Sequence, residues 1–419
     1  MGRSQVKLPH YAFFEALARC ENESCAEWRT TSAGLLTLRL FDDWVMEGGS
    51  AVSLDSWGLR CVRESISAID AGSSVRALLT SLVDSMQLAR HARVAVVAPR
   101  LMAYARALQF DAKWTLAADV YRTVLQNAEP AADTDVVIAA NMQLGACMRV
   151  LAQWSEARGA YAAAAEVAAF TGDAANVLKA RIAEANVMTA RGNLPAAEKI
   201  LDAVIESAED SGLMEIRAFA LQDRGEVARK RGELEVALGY TYEALSCHLS
   251  QAAKDRALAD LAANFFDMGL LSAARDANLM LAATAVEQYT RWVATINLLE
   301  IAARDRRQPV FEQYRRELAD AALPATLVAY FEFYTGQGYR TFERRQQAET
   351  WLQRAIDTAS HHQISEVLIK AEQSLSELQK GIQLLGATED GQRTVEPSER
   401  VKEVAGAIHE MRTLAGVAG

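Results

Sequence analysis

Any chemistry in this chain of 419 residues must come from a few reactive side chains, and they are scattered. The six histidines are His10, His91, His248, His361, His362 and His409; none has the i, i+4 histidine or the Cys/His spacing that holds a zinc ion. His361 and His362 adjoin in TASHHQ, which reads as a helix end or loop. The five cysteines, Cys20, Cys25, Cys61, Cys147 and Cys247, are odd in number and form no C-x-x-C pair, so neither a disulfide framework nor a metal cluster is expected. Asp42 and Asp43 are neighbours and leave a helix in different directions, so they make no positioned carboxylate pair. The phosphate loop G-x-x-x-x-G-K-[ST], the nucleophile elbow G-x-S-x-G and the zinc helix H-E-x-x-H are all absent. The expectation is no enzyme, no catalytic residue, no cofactor and no metal.

Composition directs attention to the scaffold instead. Apolar residues make up 51% of the chain and aromatics only 7%, the excess being largely alanine, which favours closely packed helices. Seven prolines leave long helices uninterrupted. A net charge of -10 argues against general nucleic-acid binding, which needs a basic face, without excluding a local one. The start, MGRSQVKLPHYAFF, lacks the apolar core of a signal peptide, and no stretch of about 18 uncharged apolar residues suggests a membrane span. A soluble, cytoplasmic protein is expected.

A repeat emerges from the small residues. Ala77, Ala117, Ala157, Ala197 and Ala237 are successively 40 apart, and breaks precede them at Gly72, Ala112, Ala152, Gly192 and Gly232. Large residues follow the breaks at Trp114, Trp154, Leu194 and Leu234, and others follow the alanines at Tyr121, Tyr161 and Leu201. A second small series, Ala105, Gly145, Ala185 and Gly225, keeps the same period. Two antiparallel helices approach closely only where small residues meet, and one hairpin cannot bury its apolar face, so copies must stack. Beyond Ala244 the period shortens: Gly269 with Ala274, and Ala348 with Leu352 and Ala355, fit a spacing of about 37. A degenerate unit lies near Phe311, where Arg306 replaces the break glycine.

The motifs QLGACM, ARGNLPAAEKIL and KRGELEVALGY resemble the tetratricopeptide repeat (TPR) family, in a long variety of about 40 residues against the usual 34. The resemblance implies an all-α fold, an α-α superhelix built as a TPR-like solenoid of helical hairpins, with helical caps at both ends. It also implies that first helices line a concave groove that binds a protein segment or peptide. Carried onto this chain, the groove positions include Arg106, Gln109, Met142, Arg149, Asn186, Gln222, Glu226 and Arg229, with the arginines able to grip carboxylates or a peptide backbone. Asn186 matches one residue of the family's two-carboxylate clamp, but Ile182 stands where its lysine belongs, which argues against chaperone-tail binding.

The expected organisation is an N-terminal helical cap over 1–57, about seven repeats over 58–362, a capping helix over 363–385, a linker over 386–397 and a short amphipathic helix over 398–419. In the cap, Tyr11 to Cys20 and Ala33 to Met46 have helical spacing and CENESCAEWRTTS separates them; a DNA-reading helix-turn-helix here would need a basic recognition helix, and none is visible. In the last helix Val401, Val404, Ile408, Met411 and Leu414 share a face, which suits docking, either within the chain as a tethered ligand or, equally, in a dimer or on another partner. YFEFYTGQGYRTF, from Tyr330 to Phe342, reads as core of a late repeat, with an aromatic pocket as the sharper alternative; RDRRQPVFEQYRR, from Arg304, reads as a solvated ridge. The expected function is a non-enzymatic scaffold or adaptor for a protein or peptide partner. The alternative is a ligand-sensing regulator whose array controls an effector or transcriptional partner.

Overall fold

The computed structural model describes residues 9–20, 22–47, 56–88, 94–381 and 396–417, and among them every regular element is a helix. Two compact units divide the chain, residues 1–190 and 191–419. Of the expected linker, residues 386–395 lie outside the described residues, as do 382–385 of the expected capping helix.

The first unit opens with α1 (Tyr11–Arg19), α2 (Ala26–Met46), α3 (Trp57–Ser67) and α4 (Ser74–Leu88). Helix α2 begins seven residues before its apolar pattern does. The Cys25 sulfur accepts from the Trp28 N–H at 3.3 Å, Glu27 occupies the first turn, and the Thr30 hydroxyl donates back to the Ala26 carbonyl at 3.1 Å, so a polar run becomes helix. Both α3 and α4 pack on α2, burying Leu59, Leu79 and Leu82 with Phe41 and Trp44. Ala77 is exposed and Gly72 has no left-handed backbone, so this pair departs from the register of the later hairpins.

From there the period becomes regular. In the first unit follow α5 (Val94–Phe110), α6 (Trp114–Asn127), α7 (Thr134–Val150), α8 (Trp154–Phe170) and α9 (Ala174–Ala190). The second unit comprises α10 (Leu194–Asp210), α11 (Met214–Lys230), α12 (Leu234–Cys247), α13 (Gln251–Asp267), α14 (Leu271–Thr284), α15 (Gln288–Arg304), α16 (Gln308–Ala319), α17 (Ala325–Thr341), α18 (Arg345–His361), α19 (Ser365–Gln379) and α20 (Glu399–Leu414). First helices start at 94, 134, 174 and 214, then at 251, 288 and 325: steps of 40 followed by steps of 37. The chain is all-α, and its hairpins are TPR-like.

Each tight break is one backbone motif. A residue with positive φ ends the helix, and the next N–H reaches five residues back, as from Lys113 to the Leu108 carbonyl, Glu233 to Ala228 and Arg307 to Ala302. Gly192, Gly232 and Gly269 take that position without steric cost, yet Ala112, Ala152 and Arg306 adopt it at φ 58°, 56° and 53°. The degenerate unit near Phe311 therefore keeps its turn, because the recovered carbonyl hydrogen bonds outweigh the strain at Arg306.

The small residues sit at helix crossings. A Cβ on Gly145 would lie 2.4 Å from the Tyr161 ring, and one on Gly225 would lie 2.6 Å from the Thr241 hydroxyl and 3.2 Å from the Ala237 carbonyl. Ala117, Ala157, Ala197, Ala237, Ala274 and Ala348 are all fully buried. Helix α20 buries Val401, Val404 and Ile408 in one apolar cluster with Leu238, Ala277 and Leu281, packing on α14 and α12. Leu414 stays 88% exposed, so the last turn of the shared face is unused.

Candidate functional site

In the second unit α11, α13, α15, α17 and α19 form the row of first helices, and side-chain contacts join α11 to α13, α13 to α15 and α17 to α19. Gln222 of α11 donates to the Asp260 carboxylate of α13, and the Arg229 guanidinium donates to Asp267 at 2.8 Å. Arg304 of α15 lies 3.9 Å over the Phe266 ring, a cation–π contact back to α13. Tyr330 of α17 donates its hydroxyl to Glu366 of α19 at 3.1 Å, and Gln337 donates to Ser374 at 2.9 Å. A ladder one repeat deep thus runs along this row.

Charges on non-adjacent first helices also meet: Lys370 of α19 acts on Glu300 in α15, and Lys230, at the end of α11, acts on Glu366 at the start of α19. These side chains mark one polar wall of the row. Tyr330 and Tyr334 stack there, ring centroids 6.3 Å apart; burial first raises the pKa of both phenols, followed by the charge of Glu366 at Tyr330 and of Glu300 at Tyr334. Two carboxylates on the same wall are only partly solvated. Burial pushes Asp260 up to about 6, against the pull of the Gln222 hydrogen bond and the Arg229 charge. Burial also raises Glu300, although Arg304 donates to it at 3.0 Å. Both side chains keep a partial opening to solvent. Such carboxylates, neither withdrawn into core nor fully hydrated, are suited to meet a ligand's donors.

The expected groove residues fall five in the first unit and three in the second. Arg106 is exposed. Gln109 accepts the Tyr121 hydroxyl at 3.0 Å and donates to the Cys147 sulfur at 3.2 Å, so its amide is engaged within the unit. Met142 is half-buried against apolar clusters, Arg149 donates to the Tyr161 phenol, and Asn186 is half-buried. Gln222 bridges Asp260 and the His248 ring, whose Nε2 lies 3.3 Å from its carbonyl oxygen. Arg229 already holds two carboxylates, Glu226 at 2.7 Å and Asp267 at 2.8 Å, and those hydrogen bonds raise its pKa despite burial. Its guanidinium is therefore a rung of the ladder. Asp260, Glu300 and Lys370 were missed, while Tyr334 lay within the segment read as core with an aromatic pocket as the alternative; the usable signal was polar complementarity one repeat on, as at Gln222 and Asp260 or Arg229 and Asp267.

The aromatic segment divides by face. Phe331, Phe333 and Tyr339 are core, while Tyr330 and Tyr334 line the wall. Outside this row, His10 sits between two carboxylates of the first unit, 2.9 Å from Asp42 and 2.9 Å from Asp119. Burial alone would lower its pKa; the hydrogen bonds and charges of Asp119 and Asp42 outweigh that and raise it to about 9. This clamp ties the segment before α1 to α2 and α6. Among the described residues no group of three or more His, Cys, Asp or Glu side chains is placed to hold a metal, and no helix is long and apolar enough to cross a membrane.

No family model matches this chain, and no curated protein sequence matches it. Solved structures similar to it include BtubC (BKLC) from P. vanneervenii, at 16% identity over 48% of this chain and 85% of that one, with a TM-score of 0.38. The Rap conjugation gene regulator of plasmid pLS20, in complex with the Phr* peptide, is 14% identical over 85% of this chain and 98% of its own, with a TM-score of 0.47. A Rap protein complexed with Competence and Sporulation Factor is 12% identical over 83% and 98%, with a TM-score of 0.42. The likeness is one of helical architecture alone.

Proposed function

We propose that the chain is a non-enzymatic adaptor whose first-helix wall in the second unit binds an extended peptide segment of a partner. The observation that carries this is the partly solvated Glu300 beside the stacked Tyr330 and Tyr334, with a second such carboxylate, Asp260, on the same row of first helices. A raised carboxyl is an unpaid desolvation cost, and folds tolerate such costs where a ligand offsets them. Peptide N–H groups or a cationic side chain would supply the missing donors, and tyrosine faces offer rigid contact area with little entropy to lose. Gln222, Glu226 and Arg229 flank the wall, so the expected groove residues there serve chiefly to hold its shape.

Peptides selected from a random display library on the full chain should lose about tenfold or more in affinity, about 1.4 kcal/mol, when Tyr334→Ala is introduced. Selected peptides that bind Tyr334→Ala and Glu300→Gln as tightly as the parent protein would place the binding surface elsewhere.

A further inference from the structure

The segment before α1 and helix α20 are fastened at one position of the repeat. In the regular hairpins the sixth residue of a second helix points outward: Gly159 in α8, Lys199 in α10, Gln313 in α16 and Thr350 in α18 are all exposed. Where that residue is acidic, a terminal segment meets it. Asp119 of α6 faces His10, and Asp276 of α14 faces α20, with His409 Nδ1 at 2.7 Å and Arg412 Nε at 3.2 Å. The sixth residue of α12 is Gly239, and the Arg400 guanidinium of α20 lies on it; a Cβ there would come 2.9 Å from Nη2.

The hairpins do not need this cover, since four of their equivalents go without it. Helix α20 adds three buried apolar side chains, Val401, Val404 and Ile408, and otherwise polar anchors that water can solvate once they part. A helix of 16 residues has little stability of its own, so it is held by this docking or not at all. We infer that α20 is a removable strap over a helix-docking groove on the outer faces of α12 and α14, and that the groove's other occupant is an amphipathic helix of a partner protein. The geometry defines that helix: apolar residues at i, i+3 and i+7, an arginine at i−1 for the space above Gly239, and basic residues at i+8 and i+11 for Asp276. This surface lies on the second helices, apart from the first-helix wall, and does not depend on the peptide-binding reading.

The test uses the full chain. Val404→Asp with Ile408→Asp vacates the groove without altering it, and Gly239→Lys blocks it with the residue that α10 already carries at Lys199. A fluorescent peptide of residues 396–417 should bind the vacated protein at least about tenfold more tightly than wild type, and Gly239→Lys added to the vacated protein should abolish the gain. Equal binding to all three proteins, or binding to none, overturns the proposal. Hydrogen exchange on the wild type is independent of those variants: α20 amides should open well before those of α12, and exchange in step with α12 would mean that α20 is core. A wild-type dimer that the vacating changes dissolve would make a second copy of this chain the occupant and overturn the choice of a foreign helix.

Discussion

Replacing Asp260 by asparagine should stabilise the second unit and weaken its binding, and the size of the first effect follows from the site. The carboxyl rises from 3.8 to about 6 on folding because burial disfavours its charge. At about 1.4 kcal/mol per pH unit, that gap sets a ceiling of about 3 kcal/mol on the cost of keeping it ionised. Its side chain retains some solvent, so about 1–2 kcal/mol is the expected value. Because the folded value lies above the unfolded one, the favourable contribution is complete below about pH 3.8 and lost as pH rises through about 6. The variant's advantage should thus be near zero at pH 4, grow between pH 4 and 6, and level off at pH 7. Other carboxylates titrate in the same window, so the quantity to measure is the difference between variant and parent. Repeat arrays unfold in parts, and hydrogen exchange of α13 amides reports that difference locally. An advantage independent of pH, or a loss of stability at pH 7, would refute the account of Asp260 as an unpaid acid.

Three further outcomes are expected. His10 follows the same sign over a higher window: its contribution is complete below its ordinary value of 6.5 and lost as pH rises through about 9. His10→Ala should therefore speed exchange of α1 amides by the equivalent of about 3 kcal/mol at pH 6 and little at pH 10. At its helix crossing, Gly225→Leu meets the Thr241 hydroxyl and the Ala237 carbonyl and should cost about 1–3 kcal/mol, whereas Gly159→Ala on the exposed face of α8, which meets nothing within 4 Å, should gain about 0.5–1 kcal/mol in thermal unfolding.

The repeat could be read in the sequence because its constraint is local and steric. Gly145 and Gly225 are small for a reason that lies about sixteen residues away, at Tyr161 and Thr241, so the chain prints the crossing at a fixed interval. The N-terminal helices were harder: α2 starts early through a cysteine cap and side-chain-to-backbone bonds within a polar run, which apolar periodicity does not register. The wall was half visible. Helical position put Gln222, Glu226 and Arg229 among the expected groove residues, but their engagement depends on Asp260 and Asp267 in the next hairpin, and the desolvation of Asp260 and Glu300 depends on how neighbouring helices pack around them. His10 gave no local signal, since Asp42 and Asp119 lie 32 and 109 residues away.

Those distances bear on the order in which the protein assembles. The ladder bonds close loops of 36 to 38 residues, while His10 with Asp119 spans 109 and His409 with Asp276 spans 133. Loop closure costs about 0.6 kcal/mol more for each doubling of length, so the histidine contacts carry about 1 kcal/mol beyond a ladder bond before either yields anything. Hairpins can form and stack from neighbour to neighbour with no reference to the ends. The two histidines then fasten last, and under tension applied at the termini they are the first to let go.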